Sequence, residues 1–140
     1  MITKNIETKF ASYLAGSNEV SAPNKPIIVE GVSDGKRELP CIVAYCDSVS
    51  DYPNMPIASG IFVMNLKVMV MQSNTEPLSA FIARSDEIHN ALRLFETMRN
   101  TMNTNTSNSL FVYGFRNLKV ENAVEEQHFV ITYSLEAVAS

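Results

Sequence analysis

The segment of this chain that is most informative about its fold is residues 60–72, which read GIFVMNLKVMVMQ. Every second residue is apolar, and residues two apart lie on the same face of a β-strand. These residues are Phe62, Met64, Leu66, Val68 and Val70. The other side mixes apolar residues with Asn65 and Lys67. We therefore expect the second face of this strand to be partly covered, either within the chain or by a neighbouring molecule.

Three further segments have strand character. Residues 127–138 alternate apolar and polar with the same period of two, which predicts a strand. Residues 110–121 predict the strand that precedes it, so residues 122–126 are predicted to connect the two strands as a hairpin. Residues 39–46 predict another strand. It must begin at Pro40 or lie at a sheet edge, because proline cannot donate a hydrogen bond to a sheet ladder.

Apolar residues at helical spacing predict two helices. The first spans residues 1–15 and has an apolar face at every fourth position, formed by Ile2, Ile6, Phe10 and Leu14. The second is long, from about residue 75 to Met98 or beyond. Its apolar stripe consists of Leu78, Phe81, Ile82, Ile88, Leu92 and Phe95.

The 140 residues fit one domain over residues 1–140. After the helix at 1–15, residues 16–38 form a proline-containing linker with a possible edge strand at 27–32, and residues 39–140 contain the sheet and the long helix. Polar loops are predicted at 47–59 and 100–109. This order predicts an α+β fold, with an antiparallel or mixed sheet of about four to five strands and the helices packed on it.

The charge and hydropathy of the chain exclude several functional classes. The formal net charge is −4 and the pI is about 5.1, which argues against a protein that binds nucleic acid by neutralising phosphates. No apolar run approaches the ~20 residues that span a bilayer, and the first residues lack the apolar run of a signal peptide. We expect a protein made and folded in a cytoplasm, without a membrane partner.

The two cysteines are expected to be free thiols. Cys41 and Cys46 fall in one predicted strand, five residues apart, so their side chains point to opposite faces. At ~3.3 Å per residue their Cα atoms lie roughly 16 Å apart, which is too far for a disulfide.

No catalytic, metal or cofactor site is predicted. His89 and His128 lack a partnered nucleophile, and the adjacent carboxylates at 86–87 and 125–126 lack the further ligands that a metal site needs. No glycine-rich phosphate loop is present.

A surface for protein contacts is predicted instead. The loop at 47–59 is long, stiffened by two prolines, and carries exposed apolar residues, while the mixed face of residues 60–72 is rich in methionine. The candidate interface residues are Tyr52, Pro53, Asn54, Met55, Pro56, Met69 and Met71.

The order of these elements and four local patterns resemble the tail-terminator, or tail-completion, proteins of long-tailed phages, a family of minor tail and neck proteins. The patterns are LPCIVAY at 39–45, GIFVMNLKVMV at 60–70, LFVYG at 110–114 and LEAV at 135–138. The resemblance covers most of the chain, from about Ala11 to the end. The linker at 16–38 departs from it, because it is longer and richer in proline. Residues 27–32 are therefore either a sheet edge strand or an arm that reaches a neighbour.

The resemblance implies a structural virion protein and not an enzyme. Such proteins form a ring, usually of six subunits, at the head-proximal end of the tail, where they end tail-tube growth and join the tail to the head. The implied partners are the chain itself, the tail-tube protein and the head–tail connector. DNA passes through the lumen without specific binding, which suits an acidic chain.

Two alternatives are consistent with the same sequence. One is another phage neck or tail component, such as a head-completion or tube protein. The other is a small ligand-binding α+β module, which would need a pocket with convergent polar groups. A small hydrolase would require a nucleophile–base pair, and the sequence offers none.

Overall fold

The computed structural model describes residues 2–21, 27–28, 40–53, 60–73, 75–124 and 128–140, with 27–28, 122–124 and 128 described through their backbone alone. These residues form three helices and five strands. In chain order the elements are α1 (Ile2–Gly16), β1 (Ile27–Ile28), β2 (Cys41–Asp51), β3 (Phe62–Ser73), α2 (Leu78–Arg93), α3 (Phe95–Thr104), β4 (Val112–Val124) and β5 (His128–Ala139).

The strands form one sheet in the order β1-β2-β3-β5-β4. The four long strands pair antiparallel, and the two-residue β1 pairs parallel with β2. The predicted α+β fold with a mixed sheet is therefore confirmed.

The core lies between the helices and one face of the sheet. On β3, Met64, Leu66, Val68 and Val70 are fully buried, as the period of two predicts. Their counterparts on α1 are Ile6, Phe10 and Leu14, which are also fully buried and confirm the predicted helical face. All of these side chains belong to a single apolar cluster.

The prediction of one long second helix, followed by a polar loop at 100–109, is wrong. The helix is interrupted at Leu94, whose φ of −84° and ψ of 65° are not helical, and α3 then continues to Thr104. Met98 and Met102 are one helical turn apart and fully buried. Their burial stabilises a helix through a segment whose Asn and Thr residues have only modest helix propensity.

The predicted boundary between the strand at 39–46 and the loop at 47–59 is also wrong, because β2 continues to Asp51. A bulge between Cys46 and Ser48 changes the register, and residues 48–51 then pair with residues 62–65 of β3. The polar residues after the bulge remain in the ladder because β3 supplies backbone partners for them, so sequence polarity alone gives the wrong boundary.

The C-terminal hairpin strands are confirmed, and each extends slightly beyond its predicted end. The predicted connection at 122–126 is wrong at its start, because residues 122–124 belong to β4 and pair with β5. Residues 125–126 of that connection, and residue 127 of the predicted last strand, lie outside the described residues. Of the possible edge strand at 27–32, Ile27 and Ile28 pair with β2, in agreement with the edge-strand alternative. The two cysteines are buried thiols that form no disulfide, as expected.

Candidate interaction surfaces

The second face of the sheet has no described helix on it, and we call it the open face. On β3 it carries Val63, Asn65, Lys67, Met69 and Met71, together with the cross-strand partners of these residues. Asn65 is exposed, while Lys67, Met69 and Met71 are half-buried. Val63 is buried, at 7% exposed. The open face is therefore partly shielded from water within the chain, as the sequence predicts.

The middle of the open face is charged. Lys67 Nζ lies 3.7 Å from Asp47 Oδ2, and both side chains contact water. Tyr45 lies opposite Lys67 in the ladder. Burial raises the pKa of Tyr45; the Lys67 ammonium opposes this change, and the carboxylates of Asp47 and Glu121 add to it. This region carries charges of both signs close together.

One end of the open face is a polar cluster around Tyr52. The backbone N–H of Tyr52 donates to Ile61 O at 3.1 Å, which holds Tyr52 next to the start of β3. The guanidinium of Arg116 lies 5.8 Å from the centre of the Tyr52 ring, a cation–π contact. Arg116 Nε also lies 3.6 Å from Glu136 Oε1, and the Asn117 amide donates to the same carboxylate.

The other end of the open face is apolar. Met69 and Met71 lie there, opposite Val43 and Cys41 of β2, which are 1% and 8% exposed. Val130 of β5 is also opposite Met71 and is 5% exposed.

The structure therefore separates the predicted interface residues into two groups. Asp51 pairs with Phe62, so Tyr52 and Pro53 follow at the end of β3 that lies far from Met69. From Phe62 to Met69 the strand rises roughly 24 Å at ~3.4 Å per residue. Asn54, Met55 and Pro56 lie outside the described residues. Tyr52 and the two methionines share the open face without forming one contiguous patch.

A second apolar surface lies on the helix layer, where the sequence predicts a core-facing stripe. Leu78 is 53% exposed and Ile82 is 49% exposed. They are four residues apart on α2, so they lie on one side of it, and we call this pair the α2 patch. The helical spacing places both residues with Phe81 in one stripe, but the helix is rotated so that Phe81 packs inward on Phe129, with ring centres 5.5 Å apart.

Helix side chains cap backbone groups on β4 and on the part of β2 beyond its pairing with β1. On β4, Asn103 Nδ2 donates to Val112 O and Val112 N–H donates to Asn103 Oδ1, both at 2.8 Å. On β2, the N–H of Cys46 donates to Glu7 Oε2 at 2.8 Å. These contacts occupy backbone groups that a sheet edge otherwise leaves open. The sequence holds no signal for them, because each joins residues whose contact depends on tertiary packing.

An open cleft of ≈ 400 Å³ lies between α3 and β4. Its lining residues are Phe95, Glu96, Arg99, Tyr113, Gly114 and Phe115. Beside it the rings of Phe111 and Tyr113 meet edge to face at 5.0 Å, and each residue is nearly half exposed. The predicted polar loop and strand at this position did not indicate a cleft.

The titratable residues singled out in the sequence have structural contacts. His89 is half-buried and stacks on Tyr133, with ring centres 5.2 Å apart. Glu87 accepts hydrogen bonds from Ser21 N at 2.5 Å and Ser21 Oγ at 3.2 Å. Burial, together with the nearby Glu7 carboxylate, raises the pKa of the Cys46 thiol to about 11. These arrangements hold the fold together and do not pair a nucleophile with a base.

Within the described ranges, no three His, Cys, Asp or Glu side chains come close enough to hold a metal ion. The side chains of His128, Glu125 and Glu126 are not among the described ones. None of the described helices is long and apolar enough to cross a membrane.

Comparison with known proteins does not assign the chain to a family. No protein-family model matches it, and no curated protein matches it.

Proposed function

We propose that this chain is a structural subunit of a phage particle that forms a ring, of six copies by analogy with the tail terminators, at the head-proximal end of the tail. There it ends growth of the tail tube and joins the tail to the head. The observation that carries the proposal is the presence of two separate surfaces with apolar side chains on opposite layers of the subunit. One is the open face of the sheet and the other is the α2 patch.

A ring built from identical subunits needs this arrangement. In a head-to-tail contact each subunit offers one patch to the neighbour ahead and a different patch to the neighbour behind. The α2 patch exposes Leu78 and Ile82, which lose contact with water when they are covered. The open face offers half-buried methionines, whose flexible side chains adapt to an irregular partner surface.

The charge of the chain fits the same proposal. A net charge of −4 gives a lumen surface little attraction for DNA phosphates, so DNA can pass without specific binding. The proposed partners are therefore the chain itself, the tail-tube protein and the head–tail connector, all proteins. Assembly takes place in the host cytoplasm and the final location is the virion.

A small ligand-binding module is the second candidate, and the cleft between α3 and β4 favours it. Arg99 and Glu96 supply polar groups and Phe95 supplies an apolar wall. A specific site is expected to enclose most of its ligand, whereas this cleft is a shallow opening at the surface. We therefore favour the ring-forming subunit over the ligand-binding module.

The mass of the purified chain, measured by light scattering over a range of concentrations, is the first test. We expect higher oligomers as concentration rises, and rings with a central hole in negative-stain images. When the chain is added to growing tail tubes, we expect one ring at the end of each tube and no further elongation. A chain that never forms rings and never caps tubes would contradict the proposal.

The two-patch arrangement can be tested by mixing variants. Ile82→Glu places a negative charge in the α2 patch, and Met69→Glu places one on the open face; each variant alone should form no rings. Mixed together, they should form heterodimers and no rings, because each heterodimer joins one intact α2 patch to one intact open face. Ala83→Glu is the matched control, since Ala83 is an exposed neighbour of Ile82 and should leave rings intact. Circular dichroism confirms that each variant folds.

A further inference from the structure

One edge of the sheet offers backbone groups to a partner. Strand β4 is the last strand in the sheet order and, among the described strands, pairs only with β5. Phe111 and Ser140 exchange two backbone hydrogen bonds, of 3.0 and 2.9 Å. Backbone groups alternate in direction along an antiparallel pair, so the even-numbered residues of β5 point toward β4.

This alternation fixes the direction of the backbone groups on β4. Lys119 and Glu121 lie opposite Ser134 and Thr132, so their N–H and C=O groups point toward β5. The N–H and C=O of Val120, between them, therefore point away from the sheet. From residue 119 to residue 124 the pairing with β5 is continuous, which leaves a regular strand edge.

The contacts and bulge that block the first part of this edge end before Val120. Asn103 occupies the outward groups of Val112, and the bulge between Arg116 and Lys119, with Asn117 at φ 57°, interrupts the strand after that. Val120 is 44% exposed. Lys119 and Glu121 are also exposed.

The charges beside Val120 are complementary to a second copy of themselves. Lys119 and Glu121 project from the open face of the sheet, because their partners Ser134 and Thr132 lie opposite Lys67 and Met69. If two copies of β4 pair antiparallel with Val120 opposite Val120, Lys119 of each copy lies opposite Glu121 of the other. Val120 then exchanges two backbone hydrogen bonds. The charged pairs occupy the closer, non-hydrogen-bonded positions, where Cα atoms are ~4.5 Å apart.

We propose that two copies of this chain associate through the outer edge of β4, with Val120 on a two-fold axis and two Lys119–Glu121 ion pairs across it, to give a continuous ten-stranded sheet. This contact is isologous, whereas the proposed ring uses a heterologous one, so the two are independent. The edge pair can be present in a chain that forms no rings, and absent in one that does.

Charge reversal at the two positions tests the pair. Lys119→Glu places two carboxylates opposite each other in both ion pairs, and Glu121→Lys does the same with two ammonium groups. Each single variant should raise the dimer dissociation constant at least about tenfold, since like charges directly opposite are unfavourable and the favourable pairs are lost. The double variant, Lys119→Glu with Glu121→Lys, restores opposite charges and should restore the dimer. Sedimentation equilibrium measures all three, and Ile82→Glu in the background suppresses ring contacts.

Two controls separate the edge pair from general charge effects. Lys4→Glu and Glu96→Lys reverse exposed charges on the helix layer and should leave the dissociation constant unchanged. Val120→Pro removes the outward N–H at the axis and should abolish the dimer while circular dichroism remains native, because an edge strand tolerates proline. A wild-type chain that stays monomeric up to its solubility limit would overturn the proposal. So would a dimer that the single reversals leave unchanged, or one that the double variant fails to restore.

Discussion

At the scale of single residues, two polar side chains help to hold the helix layer in place. Lys9 is 2% exposed, and its ammonium donates to Leu110 O at 2.7 Å. Asn108 Nδ2 donates to Asn5 O at 3.1 Å, so two side-chain contacts join α1 to the segment that leads into β4. Burying an ammonium costs free energy unless it is well paired, and Lys9 has a backbone carbonyl as its acceptor.

Lys9 should make the free energy of unfolding depend on pH in the alkaline range. Burial lowers its pKa below the ordinary 10.5. Between the lowered pKa and 10.5, the unfolded chain binds more protons at this position than the folded chain, so the Lys9 contribution to stability rises with pH. We expect the free energy of unfolding of the wild type, relative to Lys9→Met, to increase as pH rises toward 10.5. Urea titrations at several pH values measure this difference, and parallel profiles for the two proteins would contradict it.

Cys46 should be protected from thiol reagents in the folded chain. Its pKa is about 11, so at pH 8 about one thiol in a thousand is ionised, and the side chain is 8% exposed. In a Cys41→Ser background, we expect iodoacetamide to label the native protein far more slowly than the urea-unfolded protein. Mass spectrometry measures the labelling rates. Equal rates for the native and the unfolded protein would show that the thiol is accessible and reactive.

At the scale of elements, β2 and β4 each carry a bulge together with a side-chain cap. β2 has its bulge after Cys46, where Glu7 of α1 binds the backbone, and β4 has two bulges near the Asn103 contact from α3. Such devices limit unintended strand addition. They also restrict the open part of the β4 edge to the segment around Val120.

Asn103 is expected to contribute measurably to stability. Replacing it with alanine removes both 2.8 Å hydrogen bonds to Val112, at a cost of about 1–3 kcal/mol. Asn103→Asp should be at least as costly, because a carboxylate accepts from the N–H but repels the carbonyl oxygen. Asn100→Ala, at an exposed position of the same helix, is the matched control and should change stability little. Denaturant unfolding measures all three, and an Asn103→Ala variant as stable as the control would contradict the assigned role.

At the scale of the whole molecule, α2 is tied to both layers by tyrosine hydroxyls. Tyr13 of α1 donates to Ala91 O at 2.7 Å, and Tyr133 of β5 donates to Ser85 O at 3.0 Å. Both rings are almost completely buried. Burial and the Asp86 carboxylate raise the pKa of Tyr133 to about 12, so this hydroxyl keeps its proton at any physiological pH.

Tyr13→Phe and Tyr133→Phe should each lower the free energy of unfolding by about 1 kcal/mol, because each leaves the packing intact and removes one buried hydrogen bond. Since the two hydroxyls bind different turns of α2, the double variant should lose about the sum. Thermal and urea unfolding measure both effects. A double variant that loses no more than one single variant would mean that the two contacts do not act independently.

The alternation on residues 60–72 and 127–138 was sufficient to predict the central strands, because a strand with one buried face repeats every two residues whatever its neighbours are. The apolar spacing of Ile6, Phe10 and Leu14 was likewise sufficient for α1. The same kind of pattern assigned Leu78 and Ile82 to the core, yet the structure exposes them. A helical stripe can be wider than the surface available to cover it, and the rotation of the helix depends on its partners.

Other features depended on tertiary structure alone. The break at Leu94, the extension of α3 over Met98 and Met102, and the continuation of β2 past Cys46 all follow from burial or from strand pairing with distant residues. The division of the predicted interface into a Tyr52 end and a methionine end follows from the strand register. Local sequence specifies which residues prefer a strand or a helix. Packing specifies which side is covered and which backbone groups stay open, since these depend on contacts between residues far apart in the chain.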